Sequence, residues 1–361
     1  MKKILTPYTK GNLTLKNHLV MAPMTRSRAI NNIPNELIAE YYGQRSGAGL
    51  IITEGTSPAP EGLGYTNIPG IFSQAQIDGW KTTTAAVHKD NGKIFIQLMH
   101  TGRIGHNANL PAGAKISGAS SIKASGQIYT YTSGMQDYSE PVALTTEGVN
   151  SVIEGYATAA KNAVEAGFDG IEIHAANGYL PEQFLNPNVN NRTDEYGGSI
   201  VNRAEFIVSI VEKSAEAIGK DRVGIRFSPF STFNDLPAYD AEEIYETYAY
   251  LSKQLNALGI AYIHIGVNPA ITQKTLDVIR ENFAGTIILC NGLTPETAEL
   301  ALHKGFADLV AFGRSYLANP DFDKRIAKDA PLNQPDIKTF YSGGKEGFTD
   351  YPMLENELEN K

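Results

Sequence analysis

The stretch Phe168-Asp-Gly-Ile-Glu-Ile173, continued without a break by His174-Ala-Ala-Asn177-Gly-Tyr179, decides how the chain is read. Its first half is an apolar, β-branched run of the kind that forms a buried strand, and three polar side chains emerge at that strand's carboxyl end. In chains that alternate strands with helices, ligands bind at the carboxyl ends of the parallel strands. His174 and Asn177 can donate hydrogen bonds toward one point, and Tyr179 supplies a weak acid beside them. The trio suits reduction of a substrate whose negative charge builds on an oxygen. A lone strand-end histidine is more often structural than catalytic, so the hexapeptide needs support from elsewhere in the chain.

Working outward, short apolar runs recur near 18–24, 48–55, 93–100, 168–174, 222–228, 261–267, 285–291 and 307–313, with helical patterns between them. Gly49-Leu-Ile-Ile-Thr53 and Thr286-Ile-Ile-Leu-Cys290 show no period-two alternation, as expected of strands covered on both faces. Eight such units predict a closed (β/α)8 TIM barrel, an α/β fold. Helix ends are marked by a capping box at Asp240 with Glu243, by Thr294 before Pro295, and by Gly167, Gly219, Gly259 and Gly305 at the stops. One connection is far longer than the rest. Residues 101–145 leave the third strand, are rich in Gly, Ser, Ala and Tyr, and are expected to form an inserted lid subdomain before a helix capped by Thr145 or Thr146. Such a lid lies on the same face as His174 and can exclude water. The acidic end, 354–361, is expected to fray, and 1–361 reads as one domain.

The composition removes other classes. With 39 acidic against 31 basic side chains the net charge is −8, and no basic cluster tracks a phosphate backbone, so no nucleic-acid partner is expected. Cys290 alone permits neither an intramolecular disulfide nor a paired-cysteine metal site, and a reducing cytoplasm fits. No apolar stretch has the length of a signal peptide or a membrane span.

Further polar residues fall at the ends of the predicted strands: Thr25 after the first, Gln97 in the third, Arg226 in the fifth, Asn291-Gly292 after the seventh, Gly313-Arg314 after the eighth. Barrel enzymes commonly bind a phosphate with the loops after strands seven and eight, where glycine admits backbone amides and arginine pairs with the dianion. Arg226, inside an apolar strand, needs an anion or a polarised ligand as partner. A flavin ring that turns anionic on reduction meets that need; an ion pair with Glu172 or Glu54 is the alternative.

Seven segments together resemble the old yellow enzyme family. They are Met21-Ala-Pro-Met-Thr-Arg-Ser-Arg28, Gln97-Leu-Met-His-Thr-Gly-Arg103, His174-Ala-Ala-Asn-Gly-Tyr-Leu180, Asn191-Arg-Thr-Asp-Glu-Tyr-Gly-Gly-Ser199, Gly224-Ile-Arg-Phe-Ser-Pro229, Phe312-Gly-Arg314 and Asp350-Tyr-Pro352. The match runs nearly end to end and in the family's order. It implies an FMN-dependent ene-reductase acting on cyclic enones, unsaturated aldehydes, maleimides or nitroalkenes, with NADH or NADPH as electron donor. Carried over, the pattern gives Thr25 a hydrogen bond to the flavin ring, gives Gln97 the pyrimidine edge, and sets Arg226 against charge on the reduced ring. Ala22, Pro23, Met24 and the Gly55 region would line the flavin; Asn291, Gly292, Gly313 and Arg314 would hold its phosphate. His174 and Asn177 would grip the substrate oxygen, hydride would pass to the β-carbon, and Tyr179 would protonate the α-carbon from the opposite face. Tyr65, Met99 and Tyr351 would line the substrate pocket.

Met99 stands where many relatives have tryptophan, which leaves a softer wall beside the alkene. Asn177 stands where some have a second histidine, and Thr25 where another branch has cysteine. The chain lacks a Gly-x-Gly-x-x-Gly after a strand, so the nicotinamide is expected to share the substrate pocket, with ping-pong kinetics. A monomer or homodimer is expected. Three rivals were open: a metal-dependent barrel hydrolase using His100, His174 and His264; a flavoprotein that binds phenols or steroids without turnover; and an aldolase, disfavoured because the sixth strand has no lysine.

Overall fold

Eight parallel strands close on themselves in the computed structural model, which describes residues 2–354. They are β1 (Leu19–Met21), β2 (Leu50–Ile52), β3 (Ile94–Leu98), β4 (Gly170–Ala175), β5 (Val223–Phe227), β6 (Tyr262–Gly266), β7 (Thr286–Cys290) and β8 (Leu309–Phe312), and β8 pairs with β1 to complete a TIM barrel. Each falls on one of the eight predicted runs, β4 running one residue past the end of its run.

The lack of alternation in those runs has a simple cause. Leu19, Met21, Ile96 and Ile173 turn outward onto the helices, while Val20, Leu50, Ile52 and Ile288 turn inward to fill the barrel, so both faces are apolar. A hairpin formed by Tyr8–Lys10 and Leu13–Leu15 plugs the amino end: Tyr8, Leu13 and Leu15 join the inner cluster, and the Tyr8 hydroxyl lies 2.8 Å from Thr286 Oγ1. With one end stoppered by side chains worth about 1.5–3 kcal/mol each when buried, the other end is left for chemistry.

Around the barrel run α1 (Glu36–Gly43), α2 (Gln74–His88), α3 (Thr146–Glu165), α4 (Leu180–Leu185), α5 (Ile200–Ile218), α6 (Ala241–Leu258), α7 (Gln273–Asn282), α8 (Pro295–Lys304), α9 (Arg314–Ala318) and α10 (Phe322–Ala327). Thr145 and Thr294 are the N-caps of α3 and α8, and Gly219, Gly259 and Gly305 stop α5, α6 and α8. Gly167 follows α3 at a φ of +89°. The Asp240 box is only half formed. Asp240 accepts from the Glu243 N–H, but the Glu243 carboxylate turns to Arg203 of α5, because a buried guanidinium is the stronger partner.

The 101–145 insertion carries a short hairpin, Gln127–Thr130 with Gly134–Asp137, and a two-residue parallel pairing of Ser117–Gly118 with Val142–Ala143. It is fastened to the barrel's carboxyl end. The Ser125 N–H donates to Asp235 (2.8 Å), the Asn191 N–H to Ser120 (2.9 Å), and the buried Arg103 to the carbonyls of Ile122 (3.3 Å) and Asp235. Ile104, Ala124, Ile128 and Tyr138 from this segment pack in one cluster with Met99 and Tyr179. Of the stretch 354–361, Leu354 is buried and its N–H donates to Asp321 (2.7 Å); the rest lies outside the described residues. Among the described residues no helix is long and apolar enough to cross a membrane.

Candidate active site

Strand register brings His174, Arg226 and His264 side by side across β4, β5 and β6. His264 has a partner: its Nδ1 lies 2.8 Å from one oxygen of Glu172, whose other oxygen accepts from Gln97 Nε2 at 2.8 Å. All three are buried, and burial alone would neutralise both ionisable groups. Their mutual attraction wins, lowering the Glu172 carboxyl below the ordinary range and raising His264 above it, as an ion pair requires. Glu172 is thereby occupied, and no carboxylate among the described residues lies within ion-pair distance of Arg226. Its Nη2 reaches only Cys290 Sγ (3.7 Å), and its Nε is buried without a partner. Arg226 therefore forms no contact ion pair with Glu172 or Glu54, although its charge helps hold the Glu172 carboxyl below the ordinary range. Cys290 is packed at 2% exposure.

Arg226 lines a cavity of about 460 Å³ bounded by Ala22, Pro23 and Met24 after β1, Asn291 and Gly292 after β7, and Gly313 and Arg314 after β8. Gly292 has a φ of +67° with open space where a side chain would stand, and a Cβ on Gly313 would sit 3.2 Å from Met24 Sδ. A cavity of this size, walled by glycine backbone and facing two arginines without carboxylate partners among the described residues, fits an anionic, flat-ringed ligand such as FMN. Thr25 is half-buried on the same loop, with its hydroxyl unpartnered among the described residues. Gly55 packs closely against Met99, whose Sδ a Cβ there would meet at 2.5 Å, and is not among the residues lining this cavity.

Beside the cavity, the His174 ring meets the Tyr179 ring edge-on at 4.9 Å, and the Tyr179 hydroxyl lies 3.1 Å from that of Tyr65. His174 is 4% exposed with Nδ1 unpartnered; burial, then the Arg226 and His264 charges, holds its pKa well below 6.5 and the ring neutral. The Asn177 side chain has no partner among the described residues, whereas its backbone is tied on both sides: its N–H donates to Ser228 Oγ (2.7 Å) and its carbonyl accepts from Asn234 (2.8 Å). Burial raises the Tyr179 pKa, against hydrogen bonds from Tyr65 and Asn234 that lower it. The phenol thus stays protonated until a strongly basic carbon appears.

Tyr179, Tyr65 and Met99 pack in one cluster with His174 edge-on to Tyr179, and Asn177 lies two residues before Tyr179; Tyr351 does not join them. Its hydroxyl accepts the Asp336 N–H (2.9 Å), and the carboxyl-terminal aromatic whose field reaches Tyr179 is Tyr341, ten positions earlier. Spacing in an irregular tail carries no register, so the sequence could not separate the two. Also unread were Arg26 and Arg28, which clamp that tail: Arg26 donates to the carbonyls of Phe340 (3.1 Å) and Gly347 (2.7 Å), Arg28 to Thr339 (3.0 Å) and Gly344 (3.0 Å), and both stack on Phe348. His100 accepts from the Gly102 N–H, and among the described residues no three His, Cys, Asp or Glu are placed to hold a metal ion, as the hydrolase reading requires.

Known proteins share this arrangement. The signature of the NADH:flavin oxidoreductase / NADH oxidase family matches residues 3–333. The chain is 42% identical to 12-oxophytodienoate reductase 1 of Oryza sativa subsp. japonica over 98% of its own length and 93% of the relative's. A structure of morphinone reductase superposes with a TM-score of 0.94 at 40% identity, covering 98% of this chain and 97% of that one, and morphinone reductase has also been solved in complex with tetrahydroNAD. An old yellow enzyme homologue from Zymomonas mobilis gives 0.92 at 38% identity, covering 97% and 99%. The chain belongs to the NADH:flavin oxidoreductase / NADH oxidase family, that of the old yellow enzymes, and is an FMN-dependent enzyme that uses NAD(P)H to reduce activated alkenes.

Proposed function

We propose that His174 and Asn177 hold the carbonyl or nitro oxygen of the alkene while Tyr179 delivers a proton to its α-carbon. One observation carries the reading: His174, with an unpartnered Nδ1, packs edge-on against the protonated Tyr179 and stands in register beside Arg226, which lines a cavity that fits FMN. When bound, FMN supplies the hydride received from the nicotinamide. Arg226 offsets negative charge on the ring, Gln97 and Thr25 address its edge, and Gly292, Gly313 and Arg314 hold its phosphate.

The two donors draw electron density toward the oxygen and make the β-carbon electrophilic, an effect worth about 3 kcal/mol per donor. Because His174 is neutral, it acts as a hydrogen-bond donor across the physiological range, not as an acid. Tyr179 donates across the pocket, and the Tyr65 hydroxyl beside it relays a replacement proton. The insertion at 101–145, packed against Tyr179, keeps water from the reacting carbon. Cyclic enones, unsaturated aldehydes, maleimides and nitroalkenes all present the same oxygen and carbon. A buried lone cysteine and a net charge of −8 accord with a cytoplasmic monomer or homodimer free of nucleic acid.

Single-turnover oxidation of the reduced enzyme by cyclohexenone tests the assignment. His174→Ala and Asn177→Ala are each expected to slow it by about 100-fold, with FMN affinity unchanged; rates within threefold of wild type contradict the roles. Parallel initial-rate lines are expected for the shared pocket, and intersecting lines count against it.

A further inference from the structure

We propose that Glu182 is a positioning residue for the substrate-oxygen grip: its carboxylate fixes the backbone of Asn177 and Gly178, directly and through Ser228. The inference rests on Asn177 being one of the two oxygen donors.

Asn177 and Gly178 adopt consecutive left-handed conformations, with φ of 58° and 76°. That turn aims the Asn177 side chain, and it is strained for asparagine by about 1 kcal/mol or more. Something must over-determine it. Glu182, 4% exposed in α4, accepts the Gly178 N–H at 2.7 Å on one oxygen and the Ser228 hydroxyl at 2.8 Å on the other. Ser228, just after β5, in turn accepts the Asn177 N–H at 2.7 Å. The carboxylate thus ties together two adjacent amides of β4's loop and the end of β5. A Cβ on Gly178 would come within 2.6 Å of the Phe233 carbonyl, so the turn has no slack on its other side.

Only an ionised carboxylate accepts all of these bonds, together with a longer one of 3.4 Å from the Tyr248 hydroxyl. A proton on Oε2 displaces the Gly178 amide, and a proton on Oε1 reverses the Ser228 bond and turns the hydroxyl's own proton away. Burial raises the Glu182 carboxyl to about 7, against the hydrogen bonds from Gly178, Ser228 and Tyr248. Ionisable side chains from three neighbouring segments lie around it. Tyr248 on α6 and Tyr239 before it are both pushed above their ordinary range, Arg203 on α5 is paired with Glu243 of α6, and Asp235 is turned to Arg103 and Ser125. On its outer side Glu182 borders a cavity of about 210 Å³, lined by Phe230, Leu236 and Tyr239 among others, which gives the carboxyl a route for proton exchange.

The test measures oxidation of the anaerobically reduced holoenzyme by cyclohexenone between pH 5.5 and 8.5, with FMN affinity and Tm recorded beside it. The wild-type rate is expected to rise about tenfold through an ionisation near 7 as the carboxylate forms. Glu182→Gln, whose amide offers one acceptor in place of two, is expected to stay near the low-pH rate at every pH with FMN bound as in wild type. Ser228→Ala, which removes only the Asn177 leg, is expected to lose about tenfold above pH 8. A merely structural role for Glu182 does not flatten the pH profile. Glu182→Gln retaining the wild-type ionisation overturns the proposal, and so does Ser228→Ala at full rate. If Asn177→Ala is itself undiminished, the donor role falls and this proposal with it; if Asn177→Ala is slow while both other variants match wild type, only the positioning role falls.

Discussion

Replacing Tyr179 by phenylalanine removes one oxygen from the site and little else. The ring sits 8% exposed between His174 and Tyr65, and phenylalanine keeps that packing. The lost hydroxyl leaves Tyr65 without one partner at 3.1 Å, a stability loss of about 1 kcal/mol. A positioned general acid contributes roughly 10²–10⁴ to the rate. Because the Tyr65 hydroxyl already touches the lost one, it can protonate the α-carbon from farther away, which puts the expected loss at the low end, on the order of 10². The assay is single-turnover stopped flow: oxidation by cyclohexenone should slow by that factor while reduction by NADPH stays within about twofold, since the nicotinamide step needs no proton from the phenol. Adding Tyr65→Phe should lower the rate by a further tenfold or so. Tyr179→Phe turning over at the wild-type rate, with deuterium from solvent still delivered to one face of the α-carbon, refutes the assignment.

Arg226→Met should weaken FMN binding by at least tenfold, measured by titration of the apoprotein. It should also raise the apoprotein's Tm, because a buried guanidinium with an unpartnered Nε costs a few kcal/mol. Met99→Trp should destabilise by about 1–3 kcal/mol, since Met99 is 1% exposed and Gly55 leaves no room behind it, and should change the enantiomer ratio of a prochiral enone on chiral chromatography. Glu182 binds its proton more tightly folded (about 7) than unfolded (4.5), so stability falls as pH rises from 4.5 through 7 and is level beyond. That difference is at most about 3 kcal/mol, and the gap between wild type and Glu182→Gln in urea unfolding at pH 5 and pH 8 should show it.

What was legible in the sequence was what local pattern controls. The eight runs became eight barrel strands because each is buried on both faces, and Thr145 and Thr294 cap helices because their side chains reach an amide three residues on. Residues at strand ends, such as His174, Arg226 and Gly313, were placed by the rule that ligands gather there. The misses involve partners far apart in the chain. Glu182 holds Ser228 from 46 positions away, and Arg28 holds Thr339 from 311, distances over which no spacing rule operates. Gln97 was read for its cofactor edge alone, yet its amide is half committed to Glu172, a pairing set by the β3–β4 register. Glu243 was read as part of a cap because the motif is local; a buried arginine from another helix outcompetes it.

The most direct measurement is a visible absorption spectrum of the purified protein, recorded without oxygen as NADPH is added and then cyclohexenone. The expected result is a yellow protein that bleaches with the first reagent and regains its colour with the second, which establishes bound flavin and both half-reactions together. A colourless protein that FMN cannot reconstitute contradicts the account at its centre.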